Sequence, residues 1–155
     1  MKRAGNTESP PGLSLTVQYA SGRQHLPTRA QFRRWIKAAL QRDAIITLRI
    51  VDEPEGRELN RTYRGRDYAT NVLTFVYDDM QTLAGDIVIC APVVAREARE
   101  QRKSFDAHWA HIVVHGVLHL LGFDHENEEQ ARTMEDRERK ILAGLGFRDP
   151  YALRD

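Results

Sequence analysis

The chain has 155 residues, the usual size of one domain, and a chain of this length buries enough surface to fold without a disulfide or a structural metal. Its 23 basic and 22 acidic residues nearly cancel, so net charge does not indicate a nucleic-acid-binding protein and any basic surface must be local. No apolar run approaches the ~20 residues of a membrane-spanning helix, and a single cysteine excludes an internal disulfide.

The N-terminal segment 1–12 contains charged residues, Asn, Ser and prolines, and it lacks the apolar stretch of a signal peptide. We expect a disordered tail here, followed by a single domain over residues 13–155 of a cytoplasmic protein. Cys90 ends the apolar segment 86–90, which is typical of a buried strand. Because free cysteine is among the most buried residue types, we interpret Cys90 as a core residue rather than a reactive thiol.

The first third of the chain predicts two strands with a helix between them. Apolar residues alternate over 13–17, as in a half-buried strand, and 45–51 predicts a second strand. The helix opens at Pro27 and Thr28, with Thr28 as its N-cap. Its apolar residues recur at helical spacing and are Phe32, Trp35, Ile36, Ala39 and Leu40.

A short helix follows the second strand. Asp52 with Glu55 three residues later resembles a capping box, and Pro54 suits the first turn. We expect this helix to run to about Tyr63 and residues 65–70 to form a loop.

The middle of the chain predicts two further strands and a helix. Val, Leu, Thr, Phe and Tyr are concentrated in 71–77, which indicates the third strand. We expect a loop or loose hairpin at 78–84 and the fourth strand at 85–90. Pro92 suits the first turn of a helix that runs to about Lys103.

The last third predicts two helices. The first runs over about 106–121, and Gly122 can end it in the left-handed conformation. Asn127 with Gln130 three residues later marks the start of the second, which ends near 144–146. Because strands and helices intermix, we predict an α+β (mixed) fold with a single small sheet of about four strands packed by about five helices. The strand order is not predicted.

The run HGVLHLLGFDH, residues 115–125, predicts a metal site on a helix and the following turn. His115 and His119 lie on one face of a helix, so two imidazole nitrogens can reach one ion at about 2.0–2.1 Å. Gly122 allows the chain to turn, because it tolerates positive φ, and His125 then returns as a third ligand. Three neutral nitrogens with one open position are typical of a catalytic zinc, although nickel and copper also suit such a site.

Three neighbouring residues allow two interpretations each. His108 and His111 continue the same helical stripe, where they either support the metal ligands or merely share the face, and we favour the second interpretation. Asp124 either orients a ligand or accepts a proton, or it caps the turn; the sequence does not decide between these roles.

The same histidine spacing occurs in metzincin proteases, where the glutamate after the first histidine is the general base. Here that position is Gly116, which has no side chain. The comparison therefore supports the predicted arrangement of metal ligands, but a peptidase mechanism at this site would lack its general base.

A second group of polar residues precedes the third strand. Arg57, Arg61 and Arg64 share one face of the predicted helix, and such a stripe either binds phosphates or is a solvated face. Spacing alone favours the solvated face. Thr70 and Asn71 either shape a loop or form hydrogen bonds with a substrate.

Over about residues 46–151 the chain resembles the YbeY family of bacterial zinc-dependent endoribonucleases. The most specific match is the histidine run, which follows the family signature throughout. Supporting matches lie at 59–65, 70–75, 85–90, 108–111 and 145–151. The chain departs from the family at Ala69 and Val76, where prolines are usual, so the loop before the third strand should be less restricted in its backbone angles.

The resemblance implies one zinc ion per chain on His115, His119 and His125, with Arg64 and His115 as catalytic residues. Arg61, Thr70 and Asn71 are the candidate substrate contacts. The implied activity is cleavage of single-stranded rRNA, in 16S rRNA 3′-end maturation and ribosome quality control. The implied partners are the small ribosomal subunit and a ribosome-associated assembly GTPase, with no membrane.

The corresponding mechanism is metal-assisted phosphodiester cleavage, with Arg64 holding the scissile phosphate. The alternatives are a non-enzymatic assembly factor with a structural zinc and, less favoured because of Gly116, a metallopeptidase. The general base, the choice between water and the ribose 2′-hydroxyl as attacking group, the cleavage position and the oligomeric state stay open.

Overall fold

The computed structural model describes residues 9–152, so residues 1–8 of the expected tail lie outside it. Gly12, at the end of that predicted segment, donates its backbone N–H to the Asp43 side chain at 2.8 Å. The elements in chain order are β1 (Leu13–Ala20), α1 (Arg29–Ala39), β2 (Ala44–Val51), α2 (Glu53–Arg64), β3 (Val72–Asp78), β4 (Leu83–Cys90), α3 (Ala91–Glu100), α4 (Phe105–Leu120) and α5 (Glu128–Gly144). None of these helices is long and apolar enough to cross a membrane.

The strands form one mixed sheet in the order β1-β2-β4-β3. β1, β2 and β4 are mutually parallel, whereas β3 pairs with β4 antiparallel and forms an edge of the sheet. With five helices around this sheet, the predicted α+β fold is confirmed.

The sheet has a different set of helices on each face. Its larger core packs the apolar side chains of α1, α4 and α5 against one face, with Trp35 and Trp109 fully buried there. A smaller cluster on the other face contains Leu73, Val88 and Cys90, with Leu59 of α2 packed against it. Cys90 is 1% exposed, which confirms its interpretation as a core residue.

Strand β4 is longer than predicted. It begins at Leu83 rather than 85, because Leu83 pairs with Ala44 of β2 and is fully buried. Strand β1 likewise continues to Ala20, since its whole length pairs with β2. Local sequence patterns do not contain these pairing partners.

The helix starts were predicted with mixed success. Thr28 accepts from the Gln31 backbone N–H and its own N–H donates to the Gln31 side chain, which confirms the N-cap as a full capping box. The capping box expected at Asp52 is wrong. Its carboxylate accepts instead from the Ser21 hydroxyl and the Gly22 N–H, because the end of β1 lies beside it.

Candidate metal centre and its surroundings

Helix α4 presents the first two candidate ligands. His115 and His119 lie one turn apart, with ring centroids separated by 4.7 Å. The helix is buried along most of its length, so the packed core fixes its position. Both histidine side chains retain partial exposure, as expected for ligands that must meet an ion at the surface of the fold.

The third candidate ligand follows a turn of defined geometry. Gly122 has φ of +103°, and its N–H donates to the His119 carbonyl while the Phe123 N–H donates to the Leu118 carbonyl. These two bonds form a Schellman motif, in which a left-handed glycine reverses the chain. His125 returns beside the helix, with its ring centroid 5.0 Å from that of His119 and 5.7 Å from that of His115.

The three histidines fit a metal ion. Each offers one nitrogen, and these nitrogens lie within 4.8 Å of one another. Nitrogens bound to one tetrahedral zinc at about 2.0–2.1 Å lie about 3.4 Å apart, so the rings would move together by up to about 1.4 Å on binding the ion. Burial, with a smaller effect of the neighbouring His115 and His125 rings, lowers the pKa of His119 to about 4, so its ring is neutral at pH 7.

Glu138 of α5 contacts the first candidate ligand, His115. The carboxylate is fully buried, and Oε2 lies 2.6 Å from Nδ1 of His115. A hydrogen bond from Nδ1–H to a carboxylate fixes the tautomer of a histidine and leaves Nε2 free for a metal. His115 is therefore oriented by α5 as well as by its own helix.

The second oxygen of Glu138 joins two further side chains. Oε1 accepts a hydrogen bond from the Tyr151 hydroxyl and lies 3.1 Å from Nε2 of His111. Burial by itself would raise the pKa of the Glu138 carboxyl, but hydrogen bonds from His111 and His115 outweigh it and lower the pKa to about 2. The carboxylate therefore stays ionised beside the metal ligands.

These contacts revise the interpretation of His111 and His108. His111 does more than share a helix face, because it holds the carboxylate that orients His115. His108 lies 2.9 Å from Glu97 of α3, and Glu97 also accepts from the Asn71 amide at 3.2 Å. Asn71, a candidate substrate contact, is thus bound to α3, while Thr70 before it is half-buried.

The arginines of α2 do not form one continuous cationic stripe. Arg57 pairs with Asp67 and Arg61 pairs with Glu58. Arg64 instead donates to the Thr74 carbonyl of β3 at 3.2 Å and lies over the Phe75 ring at 5.9 Å. These partners are neutral, so within residues 9–152 the charge of Arg64 is not offset by an ion pair and is open to an anionic ligand.

Two residues of the histidine run act on the backbone. Asp124 accepts from the His125 N–H at 2.8 Å, which matches the capping interpretation. Gly116 faces the sheet, where an added Cβ would lie 3.1 Å from Ile87 Cγ2. The absent glutamate of the protease pattern therefore has no space at this position.

Sequence reasoning missed Glu138, Tyr151 and Glu97 as parts of the centre. Each belongs to a polar pattern that is ordinary on a helix surface or in a turn. The spacing of charged residues in α5 does not show that one glutamate points inwards. The signal that was available is the stripe of His108, His111 and His115, because buried histidines need hydrogen-bond partners.

Comparison with known proteins gives concordant matches. The family model described as Endoribonuclease YbeY matches residues 18–146. Proteins named Endoribonuclease YbeY from Aromatoleum aromaticum and Nitrosospira multiformis are 60% and 56% identical, over 90% and 92% of this chain and 93% and 84% of their own lengths. The solution structure of TM1509 from Thermotoga maritima is 25% identical with a TM-score of 0.55, covering 90% of this chain and 99% of that one.

Proposed function

The chain belongs to the endoribonuclease YbeY family, and on that premise we propose that it is a metal-dependent endoribonuclease acting on single-stranded ribosomal RNA. The observation that carries the proposal is the convergence of His115, His119 and His125 within 4.8 Å. We assign these three residues as ligands of one zinc ion per chain.

The chemistry divides between the ion and the protein. When bound, zinc lowers the pKa of water towards about 7 and polarises a phosphoryl oxygen. Arg64 holds the scissile phosphate and offsets the charge that builds up in the transition state. His115 is held in the required tautomer by Glu138, at 2.6 Å. Arg61, Thr70 and Asn71 are the proposed substrate contacts, with Asn71 positioned by its bond to Glu97.

The proposed setting is the cytoplasm, in maturation of the 16S rRNA 3′ end and in ribosome quality control. The proposed partners are the small ribosomal subunit and a ribosome-associated assembly GTPase. The names of the homologous proteins support RNA as the substrate. Peptidase chemistry has no support, because Gly116 packs against the sheet where that mechanism places its base.

The test is cleavage of a single-stranded RNA ending in the 16S 3′ region, by the zinc-loaded wild type and by His115→Ala. We expect the variant, and the wild type after chelation, to lose at least about 100-fold in activity, since both remove the metal chemistry. His25→Ala is the matched control, because His25 is exposed and stacks on Phe105 outside the cluster.

Arg64→Ala separates the roles of metal and cation. It should lower turnover by about 10²–10³-fold with zinc content unchanged, because the arginine acts on the phosphate and not on the ion. Loss of zinc from this variant would contradict the role assigned to Arg64. Equal cleavage by wild type and His115→Ala, or none by either, would instead favour an assembly factor with a structural metal.

A further inference from the structure

Two exposed tyrosines, one in the edge strand β3 and one in α2, lie near Phe75 on the face opposite α4, where Tyr77 contacts Asp86, the residue of β4 paired with Phe75. Phe75 and Tyr77 lie two residues apart in β3, and Tyr63 of α2 packs on Phe75 with ring centroids 5.2 Å apart at 70°. Tyr63 is 60% exposed and Tyr77 is 68% exposed. We call Tyr63, Phe75 and Tyr77 the aromatic platform.

The platform rings are held in place although they face solvent. Tyr77 donates its hydroxyl to the Asp86 carboxylate of β4, and this contact raises the pKa of Tyr77. Tyr63 is held by its edge contact with Phe75. Rings that are already ordered lose little conformational entropy when a planar ligand stacks on them.

One cationic group contacts the platform, and a second follows two residues later in the chain. Arg64 lies over the Phe75 ring, and Arg66 donates to the Tyr68 hydroxyl at 3.3 Å. The contacts of both arginines, with the Thr74 carbonyl, the Phe75 ring and the Tyr68 hydroxyl, are uncharged, in contrast to the ion pairs of Arg57 and Arg61. Aromatic faces next to uncommitted cations are the combination that binds single-stranded nucleic acid.

The platform and the helix that carries His115 lie on the two faces of the same strand, β3. Side chains alternate across β3, so Val72 points to the α4 face while Phe75 points to the platform face. On the α4 face, a Cβ on Gly116 would lie 3.4 Å from Val72 Cγ2, and Gly116 follows the metal ligand His115. The platform and α4 therefore lie on opposite faces of β3, which is an edge strand of the sheet.

We propose that the aromatic platform stacks bases of the single-stranded RNA substrate and positions its backbone across β3 towards the histidines. The inference rests on the proposed function and extends it to a surface outside the metal centre. Stacking accepts any base, so the platform contributes affinity and a preference for unpaired strands rather than sequence specificity.

The test is steady-state cleavage of single-stranded RNA by zinc-loaded Tyr63→Ala and Tyr77→Ala. Each variant should raise KM by about 5- to 100-fold, the range for loss of one stacked base, with kcat changed by less than about threefold. Tyr63→Phe should stay within about twofold of wild type, because stacking needs the ring and not the hydroxyl, whereas Tyr77→Phe should fall between wild type and Tyr77→Ala, because it keeps the ring but loses the Asp86 contact that orders it. Ile45→Ala removes an exposed apolar side chain of β2 as the matched control.

Salt dependence separates stacking from charge. Loss of a stacking tyrosine should weaken binding equally at about 50 and 200 mM salt, whereas Arg66→Ala should reduce the salt dependence itself. A change in the salt slope for the tyrosine variants would contradict stacking. Melting temperatures of all variants report whether the fold is retained, and Tyr63→Phe keeps the ring contact with Phe75.

Failure of this inference differs from failure of the proposed function. If the wild type cleaves RNA and the Ala variants match it in KM, the platform is wrong and the nuclease stands. If the wild type does not cleave, the affinity of the zinc-loaded chain for the same RNA can be measured directly by fluorescence anisotropy. Tyrosine-dependent binding would then support the platform, and tyrosine-independent or absent binding would overturn it and point to a protein partner.

Discussion

Glu138 has no exposed surface and accepts hydrogen bonds from side chains that lie far apart in sequence. Glu138 connects α5 to His115, the candidate metal ligand on α4, and to Tyr151, which follows α5 in the chain. A buried carboxylate is costly unless it is fully hydrogen-bonded, which His111, His115 and Tyr151 together achieve. Glu138 thus orients the candidate metal ligand His115 while its own charge is stabilised by the same contacts.

Glu138→Gln should weaken zinc binding by about 10- to 100-fold, because the amide neither carries the charge nor accepts from both histidines through two oxygens. Competition with a chromophoric chelator measures the affinity independently of any RNA. Asp136→Asn is the control, since Asp136 is an exposed partner of Arg139 on the same helix. Unchanged zinc affinity in Glu138→Gln would show that the carboxylate only fills the core.

At the scale of the element, α4 combines the ligands with a close approach to the sheet. Gly116 lies against Ile87 and Val72, and both distances from an added Cβ are 3.4 Å or less. Ile87 is fully buried and has no space to move. The glycine therefore sets how near the two ligating turns lie to β3.

Gly116→Ala should lower the free energy of unfolding by about 1 kcal/mol. Helix propensity favours alanine by about 1 kcal/mol, but overpacking of a full core costs about 1–3 kcal/mol. Gly144→Ala near the end of α5 is the matched control, since nothing lies within 4 Å of its added Cβ, and it should be neutral or stabilising. Urea unfolding of both variants measures the difference, and stabilisation by both would contradict the close-packing argument.

Helix ends show how far the sequence predicts local structure. Thr28, Asn127 and Gly122 act as predicted, because their partners lie within five residues in the chain. Asp52 does not, because Ser21 and Gly22 compete for its carboxylate from 30 residues away. The convergence of the three histidines was predicted for the local reason, and Glu138 was missed for the distant one.

At the scale of the whole molecule, the class of fold and the number of elements followed from the sequence, whereas the strand order did not. Strand β4 lies between β2 and β3, and its registers with both depend on contacts across the chain. Cys90 ends this central strand, beneath α2, where a Cβ on Gly56 would lie 3.3 Å from its sulfur. Exposing the thiol therefore requires the sheet and α2 to separate.

Cys90 makes the stability of the fold decrease with rising pH in the alkaline range. Burial raises the pKa of its thiol from 9.0 to about 11. The folded chain holds this proton more tightly than the unfolded chain, so the contribution is complete below about pH 9 and is lost as pH rises towards 11. The loss amounts to about 2–3 kcal/mol.

Comparison of wild type with Cys90→Ala across this pH range tests the prediction. The difference in unfolding free energy should shrink by about 2–3 kcal/mol between about pH 9 and 11, because only the wild type carries the titrating thiol. Val93→Ala, a truncation in the same cluster without a titrating group, should show a difference that does not vary with pH. A constant difference for Cys90→Ala would show that the thiol titrates alike in both states.

The open edge of β3 also affects the tendency of the protein to self-associate. An exposed edge strand offers unpaired backbone groups to the edge strands of other molecules, and natural proteins commonly block such edges with charged side chains. Arg64 blocks part of this edge, because its guanidinium donates a hydrogen bond to the Thr74 carbonyl of β3. Replacing this arginine removes a barrier to intermolecular strand pairing, so loss of activity in an Arg64 variant has to be separated from self-association by sedimentation.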